Sequence, residues 1–291
     1  MLNSHLLMSD ALHFSAEQPI NPYYFDSHTD TAIAQAEHDA IREALTQAGV
    51  VVTTTASPST SQDGVYTANW ALVRGDKAVL ARLPNVRKTE EETAKAALEA
   101  LGKEVILAPE GLRFSGQGDA LACGDYLFCG KGYRSDEKAQ KFAADALGYT
   151  RIQLQTVPQL DDAGNAVINP VSGWEDSFYY DIDLALSILR TPTDDAPGLI
   201  AYCKEAFTPE SQAILENLPK ETFETILISE KEAREAFAAN LVSTGTSVVM
   251  SSKAPALTKE LEDRGFTVFT PEISELSKGG GYIRCTSLSL V

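Results

Sequence analysis

The run Gly279-Gly280-Gly281-Tyr282-Ile283-Arg284-Cys285 places a thiol shortly after three successive glycines. Glycines admit backbone conformations closed to other residues and let a substrate approach the chain closely. A thiol at such an entrance can act as a nucleophile once it loses its proton. Alternation along a strand expected over residues 282–290 turns Cys285 to the face opposite Leu288 and Leu290. A glycine turn feeding a strand that carries a small, buried, unreactive cysteine accounts for the same residues. The pattern by itself leaves both readings open. The remaining cysteines, Cys123, Cys129 and Cys203, form no CxxC pair, and the histidines (His5, His13, His28, His38) all lie within the first 38 residues. Neither a zinc set nor a disulfide framework is indicated, and a reduced, cytoplasmic setting is expected, with no metal and no cofactor.

These groups must be held by elements that alternate along the chain. A helix over 30–48, closed by Gly49, leads to a strand over 50–54. Residues 65–73 and 77–83 read as a hairpin across Arg74-Gly75-Asp76. Thr89-Glu90-Glu91-Glu92 reads as a capping box opening a helix that Gly102 ends, with a strand over 104–108 after it. The order returns with a hairpin over 120–129, a helix from the cap Ser135 to Gly148, and a strand over 152–156. It returns again in the Ser229–Glu232 capping box, a hairpin over 241–250, a helix over 253–264 and a strand over 267–269. Strands over 198–202 and 224–229 fill the remaining places, and Asp161 to Asn165 is a turn. A unit that recurs in this way is an internal structural repeat. Hairpins between the helices disfavour a doubly wound sheet, which is built from single strands alternating with helices.

The chain has 291 residues, 44% hydrophobic and 22% charged, with a formal net charge of −17 from 24 basic and 41 acidic side chains. That surplus of negative charge opposes nucleic acid or an anionic membrane as partner and tolerates a cationic small molecule. Residues 1–8 lack the build of a signal peptide, and no run reaches the ~20 apolar residues of a membrane helix. A single domain over 1–291 is expected, with 1–8 as a disordered or additional start. A homo-oligomer is compatible with the sequence, which does not specify it.

The stretch Leu276-Ser277-Lys278-Gly279-Gly280-Gly281-Tyr282-Ile283-Arg284-Cys285-Thr286 resembles the nucleophile motif of the dimethylargininase and amidinotransferase group of the pentein, or guanidine-modifying enzyme, superfamily. Four further segments agree in order. Leu12-His13-Phe14 with Ile20-Asn21-Pro22-Tyr23 resembles the group's opening strand, and Asp63-Gly64-Val65-Tyr66-Thr67-Ala68-Asn69 its substrate loop. Gly130-Lys131-Gly132-Tyr133-Arg134-Ser135 resembles its arginine turn, and Phe237-Ala238-Ala239-Asn240 a late asparagine motif. The resemblance spans nearly the whole chain and implies an α/β fold, a five-bladed propeller of ββαβ modules. It also implies a covalent hydrolysis at the guanidino group of an arginine-like amino acid, through a thiouronium on the cysteine. By position Cys285 would be the nucleophile, Asp63 an acceptor for the guanidinium, and Arg134 a clamp on an α-carboxylate. Asn69 would stand beside Asp63, Asn240 would keep the late motif, and Asp119 and Asp183 would bind the cation.

The chain departs from the group twice. Where the group reads Phe-Tyr-His-Leu-Asp, this sequence has Tyr179-Tyr180-Asp181-Ile182-Asp183, so Asp181 stands at the catalytic histidine's place. Where the group often reads Glu-Gly-Gly-Asp, Gly116-Gln117-Gly118-Asp119 stands here. A histidine supplies a proton near neutral pH and a cation beside the thiol. An aspartate supplies the proton only when burial raises its pKa, and never the cation. Three readings follow: a hydrolase or amidinotransferase with altered acid chemistry at Asp181, an enzyme acting on a ureido substrate, and a member that binds an arginine- or citrulline-like ligand, or a partner protein, without turnover. His13 is the one imidazole placed to replace the missing ring.

Overall fold

The computed structural model describes residues 2–24 and 28–291. Its strands fall into five three-stranded sheets, each with one antiparallel and one parallel pairing. The parallel partner in each sheet arrives through a helix, because a parallel return needs a crossover that a hairpin cannot supply. The first strand, β1 (His5–Met8), is followed by α1 (Thr31–Gln47) and β2 (Val51–Thr54). The next module is β3 (Ala71–Arg74), β4 (Lys77–Leu80), α2 (Glu90–Ala100) and β5 (Glu104–Leu107). The third comprises β6 (Ala120–Cys123), β7 (Tyr126–Gly130), α3 (Glu137–Leu147) and β8 (Thr150–Leu154).

The fourth comprises β9 (Leu186–Arg190), β10 (Gly198–Tyr202), α4 (Pro209–Glu216) and β11 (Phe223–Leu227). After α5 (Glu230–Ala236) the last sheet is β12 (Val242–Ser243), β13 (Ser247–Val249) and, beyond α6 (Pro255–Asp263), β14 (Thr267–Phe269). Finally β15 (Leu288–Ser289) returns to β1, pairing Leu6 with Ser289 and Leu7 with Leu288. The two ends of the chain thereby share one sheet. Five ββαβ modules, one of them closed by this pairing, are what the propeller expectation required. Among the described residues no helix is long and apolar enough to cross a membrane.

Local chemistry explains several boundaries. Asp30 caps α1, its Oδ1 accepting from the amides of Ala32 and Ile33 at 3.0 Å each. Gly148 closes α3 at φ +72°, a left-handed position that suits a residue without Cβ. Other expectations need correction. Residues 5–8 are ordered as the central strand of the closing sheet, and Leu12 to Phe14 form a turn where an opening strand was expected. The Thr89 capping box does not form: Thr89 is helical with no side-chain cap, and Glu90 turns inward to Arg87 and Trp70. Asp136, with extended φ/ψ, begins α3, while the Ser135 hydroxyl accepts the Ser115 amide at 3.0 Å. Val65 to Trp70 is turn and 3-10 helix, so the first hairpin strand starts only at Ala71.

Candidate active site

Cys285 lies on a turn, contrary to the strand expected over 282–290. The Thr286 amide donates to the Tyr282 carbonyl at 3.2 Å and the Ser287 amide to that of Arg284 at 3.1 Å, so pairing resumes only at Leu288. Asn240 holds this turn. Its Oδ1 accepts the amides of Tyr282 (3.2 Å) and Cys285 (3.1 Å), and its Nδ2 donates to Cys285 Sγ at 3.1 Å. An interior amide that satisfies two backbone donors outweighs the strand propensity of the local sequence. The glycines ahead of the turn serve close approach: a Cβ on Gly281 would stand 2.4 Å from Tyr66 Cε1, and one on Gly280 (φ +81°) 2.5 Å from Asn21 Oδ1.

The thiol is buried and donates to Asp183 Oδ2 at 3.4 Å. Burial first, and then the neighbouring Asp183 and Asp181 carboxylates, push its pKa well above the ordinary thiol value. Asp181, Asp183 and Asp119 are each raised too, burial being the main cause, and the three lie close enough to oppose one another's ionisation. Asp63 is pushed up to about 6 by burial, against the pull of Arg87. Among the described residues each of these four carboxyls keeps one buried oxygen without a hydrogen-bond partner: Asp63 Oδ2, Asp119 Oδ2, Asp181 Oδ1 and Asp183 Oδ1. A buried polar oxygen left bare is costly, which marks these positions as ones prepared for a donor.

A chain of side chains fixes Asp181. Arg87 Nη1 donates to Asn69 Oδ1 at 2.8 Å, and Asn69 Nδ2 donates to Asp181 Oδ2 at 2.7 Å. Arg87 is itself bound to Glu90 through Nε and Nη2, both at 2.8 Å. Gly118 makes room for the carboxylate, since a Cβ there would lie 2.6 Å from Asp181 Oδ2. Across the cleft Arg134 bonds the Ile20 carbonyl through Nη2 and lies over the rings of Tyr180 (5.1 Å) and Trp174 (5.8 Å), while its buried Nη1 has no partner. Tyr24 donates to Asp63 Oδ1 at 2.5 Å and occupies part of the space between these walls. What remains is a cavity of about 20 Å³, enough for roughly one water molecule.

Of the residues singled out in the sequence, Cys285, Asp181, Asp63, Asn69 and Arg134 line this one cleft. Asp119, Asp183 and Asn240 stand behind it. Asp119 Oδ1 accepts the Ile182 amide at 3.0 Å and so sets the segment that carries Asp181 and Asp183. Gln117 faces elsewhere, accepting Arg284 Nη2 and the Ser289 amide at 2.8 Å each, so it does not fill the place of a guanidinium ligand. The His13 replacement fails: that residue is exposed and no imidazole lines the cleft among the described residues. His38 is buried in α1, with burial lowering its pKa to about 4. Sequence reading passed over Arg87, Tyr24, Asn21, Tyr180 and Ser115, all of which line the cleft. Asn21 and Tyr180 lay inside quoted motifs, which was signal enough to name them.

Five ββαβ modules around a buried thiol, carboxylates and one open guanidinium define a guanidine-modifying enzyme fold of the pentein type. The family model described as N,N dimethylarginine dimethylhydrolase, eukaryotic, matches residues 21–167, and the chain belongs to that family. It is 28% identical over 285 residues to the N(G),N(G)-dimethylarginine dimethylaminohydrolase of Mycobacterium tuberculosis, covering 97% of this chain and 84% of that one. It is 29% identical over 289 residues to the bifunctional arginine dihydrolase/ornithine cyclodeaminase AgrE of a Nostoc species, covering 97% of this chain but only 37% of that longer protein. The N-terminal domain of ArgZ, a cyanobacterial arginine dihydrolase solved as a cysteine-to-serine variant with substrate, superimposes with a TM-score of 0.85 at 25% identity, over 99% of this chain and 98% of that one.

Proposed function

We propose that this chain, acting as a single domain over residues 1–291, is a Cys-dependent hydrolase of the guanidino group of an arginine-like amino acid. The observation that carries the reading is the seat of the thiol. Cys285 Sγ lies between Asn240 Nδ2 and Asp183 Oδ2, in a cleft with bare carboxylate oxygens of Asp63 and Asp181 and the bare Nη1 of Arg134. Carboxylates fit the forked donors of a guanidinium, and a guanidinium side chain fits an α-carboxylate. The relatives named for dimethylarginine and arginine hydrolysis support the same substrate class. The four cysteines, all free thiols, support a reducing cytoplasmic setting.

The reaction follows from the positions of the groups. A bound guanidinium cation displaces Tyr24 from Asp63, and its charge favours the thiolate that the empty site disfavours. The same cation draws Asp183 to its carboxylate form, and the thiol proton passes to Asp183 as sulfur bonds to the guanidinium carbon. Asp181, which burial draws toward its protonated form, gives its proton to the departing nitrogen as that C–N bond breaks, leaving a thiouronium on Cys285. Water then adds to the same carbon and yields a proton to the Asp181 carboxylate. The C–S bond breaks, the hydroxyl proton of the adduct returns to sulfur, and the proton left on Asp183 departs with the amine. The products are a ureido acid and an ammonium ion.

Intact mass spectrometry of the protein mixed with arginine or methylated arginines is expected to show an adduct that Cys285→Ala abolishes, with citrulline released. No adduct and no product across a guanidino panel would sink the hydrolase. A second reading, ligand binding without turnover, is favoured by the cleft's lack of an imidazole and the raised thiol. It predicts thermal stabilisation by arginine that survives Cys285→Ala and is never accompanied by product.

A further inference from the structure

A second cavity, of about 70 Å³, shares no lining residue with the cleft. Leu121, Leu186 and Leu241 supply apolar wall, and the Arg284 guanidinium faces it beside Ser187 and Ser289. Arg284 is only 7% exposed, yet it has no ion pair among the described residues. Its hydrogen bonds run to two neutral oxygens, the Ser287 carbonyl through Nη1 and Gln117 Oε1 through Nη2 at 2.8 Å. Among the described residues Asp183 is the carboxylate whose field reaches it, and it forms no ion pair with Arg284. A buried cation lacking a counter-charge is costly, and an anion brought beside it recovers part of that cost.

We propose that this cavity is a binding site for a small aliphatic monocarboxylate, its carboxylate on Arg284 and its short chain against the leucines. One water needs about 10–15 Å³, so the space suits an acetate- or propionate-sized ion and is too small for an arginine-sized molecule. Guanidinium and carboxylate pair with charge-assisted hydrogen bonds, which chloride cannot match in geometry. Occupancy of the site does not require the Cys285 thiol.

The test is calorimetry and thermal denaturation of the full chain with acetate and propionate, at fixed ionic strength against chloride. Saturable binding and a rise in Tm beyond chloride are expected in the parent protein and in Cys285→Ala. Arg134→Gln, which removes the cation of the catalytic cleft, is expected to keep the effect. Ala122→Phe plugs the mouth at a half-buried position and is expected to abolish it, as is Arg284→Gln. Absence of saturable binding in the parent overturns the proposal. Binding that survives Ala122→Phe but disappears in Arg134→Gln overturns it as well, because the anion then sits in the cleft.

Discussion

Asn69 Nδ2 donates to Asp181 Oδ2 at 2.7 Å across 112 residues of sequence, and Arg87 Nη1 holds the other end of the same amide at 2.8 Å. The amide has no freedom to flip, because one end faces a cation and the other a carboxyl oxygen. Truncation at Asn69 strips both neighbours at once. Asn69→Ala is therefore expected to destabilise the fold by about 1–3 kcal/mol, the cost of leaving buried polar groups unpaired. Urea denaturation reads this directly, and an unchanged midpoint would show that the relay contributes nothing.

Asp181 is the acid in the proposed reaction, and its replacement separates charge from shape. Asp181→Asn keeps size and one acceptor oxygen but cannot deliver a proton. Turnover is expected to fall about 10²- to 10⁴-fold, the usual contribution of a positioned acid or base. The high-pH limb of the rate profile, which follows loss of the Asp181 proton, is expected to flatten. Full activity in Asp181→Asn would assign the proton to another group.

How much of this was legible depends on where each residue draws its meaning. Asp63, Asn69, Arg134, Asp181 and Cys285 sit inside short motifs, and the folded chain brings all five to one cleft. Arg87 was not legible. Three residues before Glu90, it reads as an ordinary solvated pair at helical spacing, and only the complete burial of Glu90 shows otherwise. The module order was readable because hairpins and helices carry their own periodicity. The turn at Cys285 was not, because it is imposed by Asn240, 45 residues away, while the local sequence still alternates as a strand does.

The buried carboxyls make stability depend on pH in a defined direction. The folded-state pKa of Asp63, about 6, lies above the ordinary aspartate value of 3.8, so the folded protein holds this proton where the unfolded chain has lost it. Stability from Asp63 therefore falls as pH rises from about 4 to about 6. His38, lowered to about 4, works oppositely, adding stability as pH rises from about 4 to about 6.5. His38 thus offsets one carboxyl over that window. The raised carboxyls Asp119, Asp181 and Asp183 act in the same direction as Asp63 from about pH 4 upward, so the Tm of the free protein is expected to fall from about pH 4 toward alkaline pH. Asp63→Asn removes one of these contributions, so its Tm is expected to fall less steeply than the parent's between about pH 4 and about pH 6. An equal slope for parent and variant over that range would show that the Asp63 carboxyl is not held above its ordinary pKa.

Among the described residues Arg134 Nη1 is a buried donor with no partner, and the side chain's one hydrogen bond runs through Nη2 to Ile20. A substrate α-carboxylate would complete it. Because that group takes no part in bond making, its contact is equal in ground and transition states, and its loss raises KM while leaving kcat nearly unchanged. Arg134→Gln is expected to raise KM for arginine about 30-fold or more, since a desolvated charge pair is worth at least ~2 kcal/mol. A guanidine that lacks the carboxylate, such as decarboxylated arginine, separates recognition from support of the Ile20 loop. The parent and Arg134→Gln are expected to process it with the same KM, because the missing contact is absent in both. An equal loss for both substrates would make Arg134 a prop for the loop instead of a ligand for the acid.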